Sequence, residues 1–375
     1  MSESAAAPNT ARVIFCQPAL PAYRVDFFDR MAKRLGKRFA LHYSPTDMGV
    51  LTRNATPFDW ERPVGLMKPI IPGVIEWQPG VMDIPMQRGD TLIVCGGPRT
   101  VSTLAMLVKA RLKGVKTIWF GHYWSSTSKP YRFWLRMMLM KLVHSVLFYT
   151  DREIEEYRAG FGKNDTRPLS AVNNGINVDP IAAVRGSYRA AERPRAMMLI
   201  GRLQAKCQVE LVLTALTDPR LAGVTLHVVG DGPTRSELEA KAVKLGVADA
   251  VVWHGGTTDE AKIAAVANQC RLFVFPGAVG LSLIHAMAHG LPALISDDRW
   301  GSGPEITAFA EDVTGRAFRK DDSADLADKI AVMIDDTASL DRWAVEARRR
   351  ADEQYNTRFM TDRVVALIER LERAA

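Results

Sequence analysis

The sequence predicts an α/β fold with two domains, and three observations support this. The chain has 375 residues, which exceeds the usual size of a single hydrophobic core. Continuous apolar runs, such as TLIVC (91–95) and LFVF (272–275), alternate along it with amphipathic stretches. Strands that are apolar on both faces are typical of a parallel sheet with helices packed on each side.

The elements follow from these runs and from the spacing of apolar residues. Phe27, Phe28 and Met31 recur at helical spacing, and Gly114 closes a second helix. Predicted strands cover 11–18, 91–98, 115–121, 145–150, 196–203, 225–233, 250–256, 271–277 and 293–296, and predicted helices cover 24–35, 100–114 and 234–246.

The order of these elements suggests the domain organisation. We predict a first domain over 1–180, a linker over 181–195, a second domain over 196–355 and a C-terminal helix over 356–375 that is able to cross back to the first domain. Ligands bind at the carboxyl ends of the strands in open α/β sheets. We therefore expect the site in a central cleft that both domains face.

Composition excludes several classes of protein. The four cysteines are far apart and lack paired spacing, which argues against a zinc site. The net charge is +7, and the basic excess lies in the first half without the arrangement of a known nucleic-acid module. No strand is followed by G-x-G-x-x-G with a later acidic residue, which disfavours a dehydrogenase. The start of the chain shows no apolar signal segment, so we expect a cytoplasmic protein.

One stretch suggests a contact with the membrane surface. In 129–145, KPYRFWLRMMLMKLVHS, basic residues are interleaved with aromatic and apolar ones. Such a helix either packs on its own domain or lies peripherally on the inner face of the cell membrane.

Two strand-end loops in the second half carry residues suited to a phosphorylated ligand. Arg202 and Lys206 follow a strand in GRLQAKCQ, where they either neutralise a pyrophosphate or form an ordinary basic surface pair. Gly230 and Gly232 lie in VGDGP, where they either let the backbone approach a ligand or form a plain turn.

A third loop opens a helix in GAVGLSLIHAMAHG (277–290). Gly280 precedes a helix that begins near Leu281 and Ser282, and the N–H groups at such a helix start form an anion site. His285 lies one turn deeper on the same face. A buried histidine that hydrogen-bonds a neighbour is the alternative interpretation there.

Together these motifs resemble a known family. GRL-x-x-K, VGDGP, FVFPGAVGLSLIHAMAHGLPALISD and PEI occur in this order between 201 and 306. In order and spacing they resemble the donor-binding domain of GT-B glycosyltransferases of family 4, which are retaining and use nucleotide sugars. The resemblance implies two Rossmann-like domains, a nucleotide sugar bound mainly by the second, no cofactor and no metal.

The resemblance also implies roles for single residues. Arg202 and Lys206 would be catalytic contacts of the donor diphosphate, although the family lysine aligns with Cys207. Most members have glutamates at the positions of Gly277 and His285, whereas this sequence resembles a subset with PG-x-VGL-x-x-IHA, associated with bacterial surface polysaccharides. The implied donor-binding residues are Gly230, Gly232, Gly277, Val279, Gly280, Leu281, Ser282, His285 and Glu305.

The first half supplies further candidates. His122 follows a predicted strand, and in the family a histidine at this place hydrogen-bonds the transferring sugar; a loop histidine without a role is the alternative. Tyr23 and Arg24 occupy a loop where the family often has a glycine pair. Arg24 there either meets an anionic acceptor, such as a lipid-linked pyrophosphate, or pairs with a neighbouring carboxylate.

The implied function is transfer of a sugar to a saccharide or lipid-linked acceptor with retention, in bacterial surface polysaccharide or glycolipid synthesis. The sequence shows no obvious carboxylate dyad, which suits a mechanism without a protein nucleophile. A sugar-nucleotide epimerase of the same architecture is one alternative. A non-catalytic sugar-nucleotide-binding subunit of a polysaccharide assembly complex is the other.

Overall fold

The computed structural model describes residues 11–45, 57–123 and 130–374. It divides into two compact units, Met1–Val172 with Thr357–Ala375 and Asn173–Asn356. Each unit is built on its own parallel sheet, against which helices pack. The predicted α/β class with two Rossmann-like domains is therefore confirmed.

The first unit contains every strand predicted for the first half and several that were not predicted. Its strands are β1 (Val13–Gln17), β2 (Phe39–Tyr43), β3 (Glu61–Pro63), β4 (Lys68–Ile71), β5 (Ile75–Trp77), β6 (Thr91–Cys95), β7 (Lys116–Phe120), β8 (Ser145–Phe148) and β9 (Leu169–Ala171). Its first four helices are α1 (Val25–Leu35), α2 (Val101–Leu112), α3 (Pro130–Met140) and α4 (Asp151–Ala159).

The sheet of the first unit reverses its strand order at β1. The order is β3-β2-β1-β6-β7-β8-β9, and all pairs are parallel. All five residues of β1 are buried, because helices cover both faces of the sheet. The loops after β1 and β6 leave the carboxyl edge at this reversal, and the loop after β7 lies one strand further along the same edge. In α/β sheets, ligands bind at this edge.

The second unit has the same plan with a sheet of six strands. Its strands are β10 (Ala196–Ile200), β11 (Thr225–Val229), β12 (Val251–Gly255), β13 (Leu272–Phe275), β14 (Ala293–Ser296) and β15 (Gly315–Phe318), in the order β12-β11-β10-β13-β14-β15. Its helices are α5 (Asp179–Val184), α6 (Val209–Ala215), α7 (Arg235–Leu245), α8 (Glu260–Ala267), α9 (Leu281–Ala288), α10 (Ser323–Met333) and α11 (Thr337–Glu353). The order reverses at β10, so the loops after β10, β11 and β13 emerge side by side.

Residues 181–195, predicted as a linker, lie within the second unit. Arg193 in this segment is buried, and its Nη1 donates to the carbonyl oxygens of Ala267 (3.0 Å) and Cys270 (2.8 Å). A buried guanidinium that is satisfied by two carbonyls holds the segment against the unit.

The last helix, α12 (Thr357–Arg373), belongs to the first unit. Its Val364 and Ile368 pack in one buried cluster with Phe28 of α1. Arg363 of the same helix forms an ion pair with Asp151 at the start of α4, with Nη1 2.7 Å from Oδ2. The C-terminal segment therefore completes the core of the first unit.

Candidate functional site

Three loops of the second unit meet at the carboxyl edge of its sheet. Gly230 lies so close to Gly201 that an added Cβ would be 1.9 Å from the carbonyl oxygen of Gly201. Likewise, a Cβ added to Gly232 would be 2.1 Å from the carbonyl oxygen of Leu203. The two glycines of VGDGP thus bring the loops after β10 and β11 into backbone contact.

Gly277 occupies the position where most members of the resembled family have their first glutamate. A Cβ on Gly277 would be 2.1 Å from the carbonyl oxygen of Lys206, and the N–H of Ala278 donates to this oxygen at 2.9 Å. No side chain fits at position 277 while the loops keep this arrangement. The packing of the loops therefore explains why a carboxylate is absent at this position.

We expect Gly230→Ala to lower the free energy of unfolding by about 1–3 kcal/mol, because the methyl group would overpack two backbones. Gly256→Ala is the matched control, since its nearest neighbour would be 3.4 Å away, at ordinary contact distance. Thermal unfolding of the two variants measures the difference. Equal stability of the two would show that the loops separate easily.

Arg202 and Lys206 are both exposed, and neither pairs with a carboxylate among the described residues. Cys207, which aligns with the family lysine, is buried, and its Sγ donates to the carbonyl oxygen of Arg202 at 3.2 Å. Burial also raises the pKa of the Cys207 thiol. Of the two positions, only Lys206 presents a cation to solvent.

The helix α9 begins beside this basic loop. Gly280 is its N-cap residue and has no side chain with which to cap the helix. A Cβ on Gly201 would be 3.0 Å from Ser282 Oγ, so the first turn of α9 lies against the β10 loop. Val279 is buried, and its carbonyl oxygen accepts from the N–H of Gly303 at 2.7 Å. The positive end of the helix dipole and two cations thus lie in neighbouring loops.

Glu305 lies behind the start of α9. It is 5% exposed, and its Oε2 would be 3.7 Å from a Cβ on Gly280. The Nδ2 of Asn174, which is also buried, donates to Glu305 Oε1. Asn174 is 131 residues from Glu305 in the chain, so no local pattern in the sequence indicates this contact.

His285 faces a carboxylate that the sequence analysis did not identify. Its Nε2 is 2.9 Å from Oε2 of Glu260, the first residue of α8. The side chain of His285 is 19% exposed. Because Nε2 is engaged, Nδ1 is the nitrogen that remains for any other ligand.

In the first unit, His122 is held by Glu153 of α4. His122 Nδ1 is 3.1 Å from Glu153 Oε1, which also accepts from the N–H of Tyr123 at 3.0 Å. The other oxygen, Oε2, accepts from the N–H groups of Tyr149 and Thr150, both at 3.0 Å. Each carboxylate oxygen therefore lies against two nitrogen atoms, which fixes the orientation of the Glu153 side chain.

This network determines the tautomer of His122. Because Glu153 can only accept hydrogen bonds, Nδ1 carries the proton and Nε2 is available to a ligand. The ring stacks on Tyr149 with centroids 4.0 Å apart and an interplanar angle of 12°. The capping box Thr150–Glu153, TDRE in the sequence, is the local signal that could have identified Glu153.

Tyr23 and Arg24 differ strongly in exposure. Tyr23 is 38% exposed, whereas Arg24 is 4% exposed. The Arg24 guanidinium lies 5.7 Å from the ring centroid of Phe120 and 5.8 Å from that of Tyr149. Its Nη1 has no hydrogen-bond partner among the described residues. Among the described residues, no carboxylate pairs with Arg24, so the structure does not support the alternative of a neighbouring carboxylate partner.

The stretch proposed for membrane contact forms α3 and the residues after it, except that Lys129 lies outside the described residues. Tyr131 and Trp134 are 59% and 60% exposed. Arg136 is buried instead, and its Nη1 donates to the carbonyl oxygen of Tyr123 at 3.3 Å. Within the described ranges, no helix has the length and apolar character that a membrane span requires.

The second unit matches a known family model. Residues 181–350 match the family described as Glycosyl transferases group 1. The second unit contains a group 1 glycosyltransferase domain. The model covers less than half of the chain, and the first unit lies outside the match.

Similar proteins agree with this domain assignment. A glycogen synthase of Mycobacterium tuberculosis is 28% identical over 244 residues, which cover 60% of this chain and 56% of that protein. A GDP-mannose-dependent alpha-(1-6)-phosphatidylinositol monomannoside mannosyltransferase of the same organism is 32% identical over 171 residues, covering 41% of this chain and 42% of that protein. The matches thus span about half the length of these relatives.

A solved structure extends the likeness to both units. The crystal structure of a glycosyltransferase from Rickettsia africae superposes with a TM-score of 0.68 at 12% identity. The superposition covers 96% of this chain and 98% of that one. The predicted GT-B fold is therefore confirmed.

Proposed function

We propose that the protein transfers a sugar from a nucleoside diphosphate sugar to a hydroxyl group of a saccharide or lipid-linked saccharide, with retention of configuration. The observation that carries the proposal is the pair of exposed cations, Arg202 and Lys206, beside the start of α9. Two unpaired cations and a helix N-terminus suit a diphosphate. The match of residues 181–350 to the group 1 glycosyltransferase family also supports sugar transfer.

In this mechanism the second unit stabilises the leaving diphosphate. Negative charge grows on the diphosphate as the glycosidic bond breaks, and donors that are already in place for it lower the barrier. Arg202 offers a planar pair of N–H donors, and Lys206 adds a point charge. We assign the remaining nitrogen of His285, Nδ1, to a hydroxyl of the nucleotide ribose, because Glu260 occupies Nε2.

The first unit contributes the contacts to sugar and acceptor. We assign the transferring sugar to His122 Nε2, because Glu153 occupies Nδ1 and orients the ring. The buried Arg24, with its unpartnered Nη1, suits a negatively charged acceptor such as a pyrophosphate-linked saccharide. The leaving phosphate takes the acceptor proton, so the transfer requires neither a protein nucleophile nor a metal.

We propose a peripheral membrane contact through α3, which fits a lipid-linked acceptor in bacterial surface polysaccharide or glycolipid synthesis. Exposed Tyr131 and Leu135 line a cavity of about 300 Å³, and Trp134 is exposed on the same helix. Arg99 and Arg132 also line the cavity. Aromatic and apolar side chains beside arginines suit an anionic bilayer surface.

We expect Trp134→Ser to reduce sedimentation with phosphatidylglycerol vesicles by at least about 5-fold, since burial of this ring contributes most of the apolar contact. Val345→Ser removes an exposed apolar side chain from α11 of the second unit and is the control. Equal binding by wild type and Trp134→Ser would refute the contact.

The transferase proposal is tested by finding the donor and then the product. Thermal-shift screening with a panel of nucleotide sugars, followed by mass spectrometry of the bound ligand, identifies the donor. Turnover with acceptor saccharides and nuclear magnetic resonance of the product then give the anomeric configuration. A retained anomer is the expected result, and an inverted one would refute retention.

The same experiment separates the alternative functions. An epimerase would convert the nucleotide sugar in the absence of an acceptor. A transferase would form the glycoside only when an acceptor is present. A non-catalytic binding subunit would bind the donor without turning it over. Either of these outcomes would overturn the proposed transfer.

A further inference from the structure

A cluster of two imidazoles and a carboxylate lies between α8 and α9 of the second unit. It consists of Glu260, His285 and His289, whose ligand atoms all lie within 4.8 Å of one another. His285 and His289 are one helical turn apart, so both rings project from one face of α9. Glu260 Oε2 lies 2.9 Å from His285 Nε2 and 3.6 Å from His289 Nε2.

These spacings suit a metal centre. In tetrahedral zinc sites the metal lies about 2.0–2.2 Å from nitrogen and oxygen ligands, which places neighbouring ligand atoms roughly 3.3 Å apart. The two measured distances to Glu260 lie on either side of that separation. The two imidazole nitrogens lie within 4.8 Å of each other, so a change in side-chain rotation would bring all three ligands to one ion.

The second observation concerns His289, which has no hydrogen-bond partner among the described residues. It is 2% exposed, and neither ring nitrogen forms a hydrogen bond within the part of the chain described. The 3.6 Å separation from Glu260 is longer than a hydrogen bond. An unsatisfied buried imidazole costs free energy, and a metal bound at Nε2 would remove that cost.

The charges around the cluster favour a cation. Glu260 is the acidic member of the cluster, and its carboxylate lies against both imidazoles. Arg185 is a nearby positive charge that would repel a cation, but Asp352 neutralises it. Arg185 Nη2 lies 2.7 Å from Asp352 Oδ2.

We propose that Glu260, His285 and His289 bind one divalent transition-metal ion, with Zn²⁺ the best fit. Two imidazoles and one carboxylate match zinc rather than the all-oxygen sites that Mg²⁺ and Ca²⁺ prefer. The partial exposure of His285 and Glu260, 19% and 26% for their side chains, leaves a path for entry and a fourth position for water.

The ion would tie the start of α8 to α9. Since His285 would use Nε2 for the metal, its Nδ1 would carry the proton and be fixed as a donor. The site shares His285 with the proposed ribose contact, but its existence does not depend on any activity of the protein. Its effect would be to hold in place the helix whose first turn adjoins Arg202.

The test measures zinc directly. The full chain is stripped with a chelator, dialysed and titrated with ZnCl₂ by calorimetry, with metal content measured by mass spectrometry. Cobalt substitution adds a second readout, because the visible spectrum of Co²⁺ reports tetrahedral coordination. We expect one zinc per chain, with affinity at least about 100-fold weaker in His289→Ala, because removal of a ligand should cost no less than loss of an outer-shell partner.

The chain provides both a second variant and a matched control. Glu260→Gln changes a partly exposed residue and should fold even if His289→Ala does not, and it should weaken zinc similarly. His227→Ala disrupts the other histidine pair of this unit, in which His227 Nδ1 lies 3.0 Å from His254 Nε2, and should bind zinc normally. Absence of stoichiometric zinc, wild-type affinity in Glu260→Gln, or loss of zinc in His227→Ala would overturn the proposal.

Discussion

Replacing Arg202 with alanine should lower kcat/KM for the nucleotide sugar by about 10²–10³-fold, the usual effect of removing one donor that stabilises charge in the transition state. The guanidinium is exposed and has no carboxylate partner in the described ranges, so its charge is free for a ligand. The variant should fold normally, because no internal ion pair is lost. Activity with the identified donor, measured as release of the nucleoside diphosphate, checks this.

Two further variants sharpen the result. Arg202→Lys keeps the charge but loses the planar pair of donors, so its activity should lie between those of wild type and alanine. Arg220→Ala is the control, because Arg220 is an exposed arginine of the same unit that pairs with Asp218 and Asp328 near the amino end of β11. We expect Arg220→Ala to have wild-type kcat/KM. Wild-type activity in Arg202→Ala would refute the assignment of Arg202 to the donor diphosphate.

Lys206 should not behave independently of Arg202. Both leave β10 on the same loop and would face one diphosphate, so the effects of their substitutions should not add. The carbonyl oxygen of Lys206 also contacts the α9 loop through Ala278. Its side chain can therefore be shortened without disturbing the backbone contact that positions the loop.

Most strands that the sequence predicted are buried on both faces, and the partly exposed β12 is an exception. β10 and β14 are entirely buried, and burial on both faces leaves an uninterrupted apolar run that can be recognised without a structure. β4 was not predicted, because all four of its residues are exposed and Pro69 interrupts it. The sequence allowed α12 to cross back to the first domain, but the residues that it contacts there could not be predicted, since amphipathicity shows that a helix packs but not against which side chains.

The residues of the candidate site also fall into a group that the sequence predicts and a group that it does not. His122 and Arg202 could be predicted because they follow apolar strands, and strand carboxyl ends carry ligands in this class of fold. Their supporting partners could not, because these come from distant segments. Glu153 is 31 residues from His122, and Glu260 is 25 residues from His285. The spacing of His285 and His289 was visible in the sequence, but the carboxylate opposite them was not.

Replacing His122 with alanine should lower kcat by about 10–100-fold, the cost of losing a hydrogen bond in which charge is involved. KM for the donor should change less, because the diphosphate contacts lie in the second unit. A fall in kcat with a smaller change in KM distinguishes a contact with the transferring sugar from a general loss of structure. Unchanged kcat in His122→Ala would refute the assignment of Nε2 to the sugar.

Glu153→Gln tests how His122 is oriented. The carboxylate accepts from His122 Nδ1 and from three backbone N–H groups, so an amide would place its own NH₂ group against one of these donors. We expect kcat to fall, with a changed pH profile, because the imidazole loses the partner that fixes its tautomer. Glu155→Gln on the exposed face of α4 is the matched control and should leave both unchanged. If Glu153→Gln loses stability but keeps the kcat and pH profile of the wild type, then Glu153 serves only as the cap of α4.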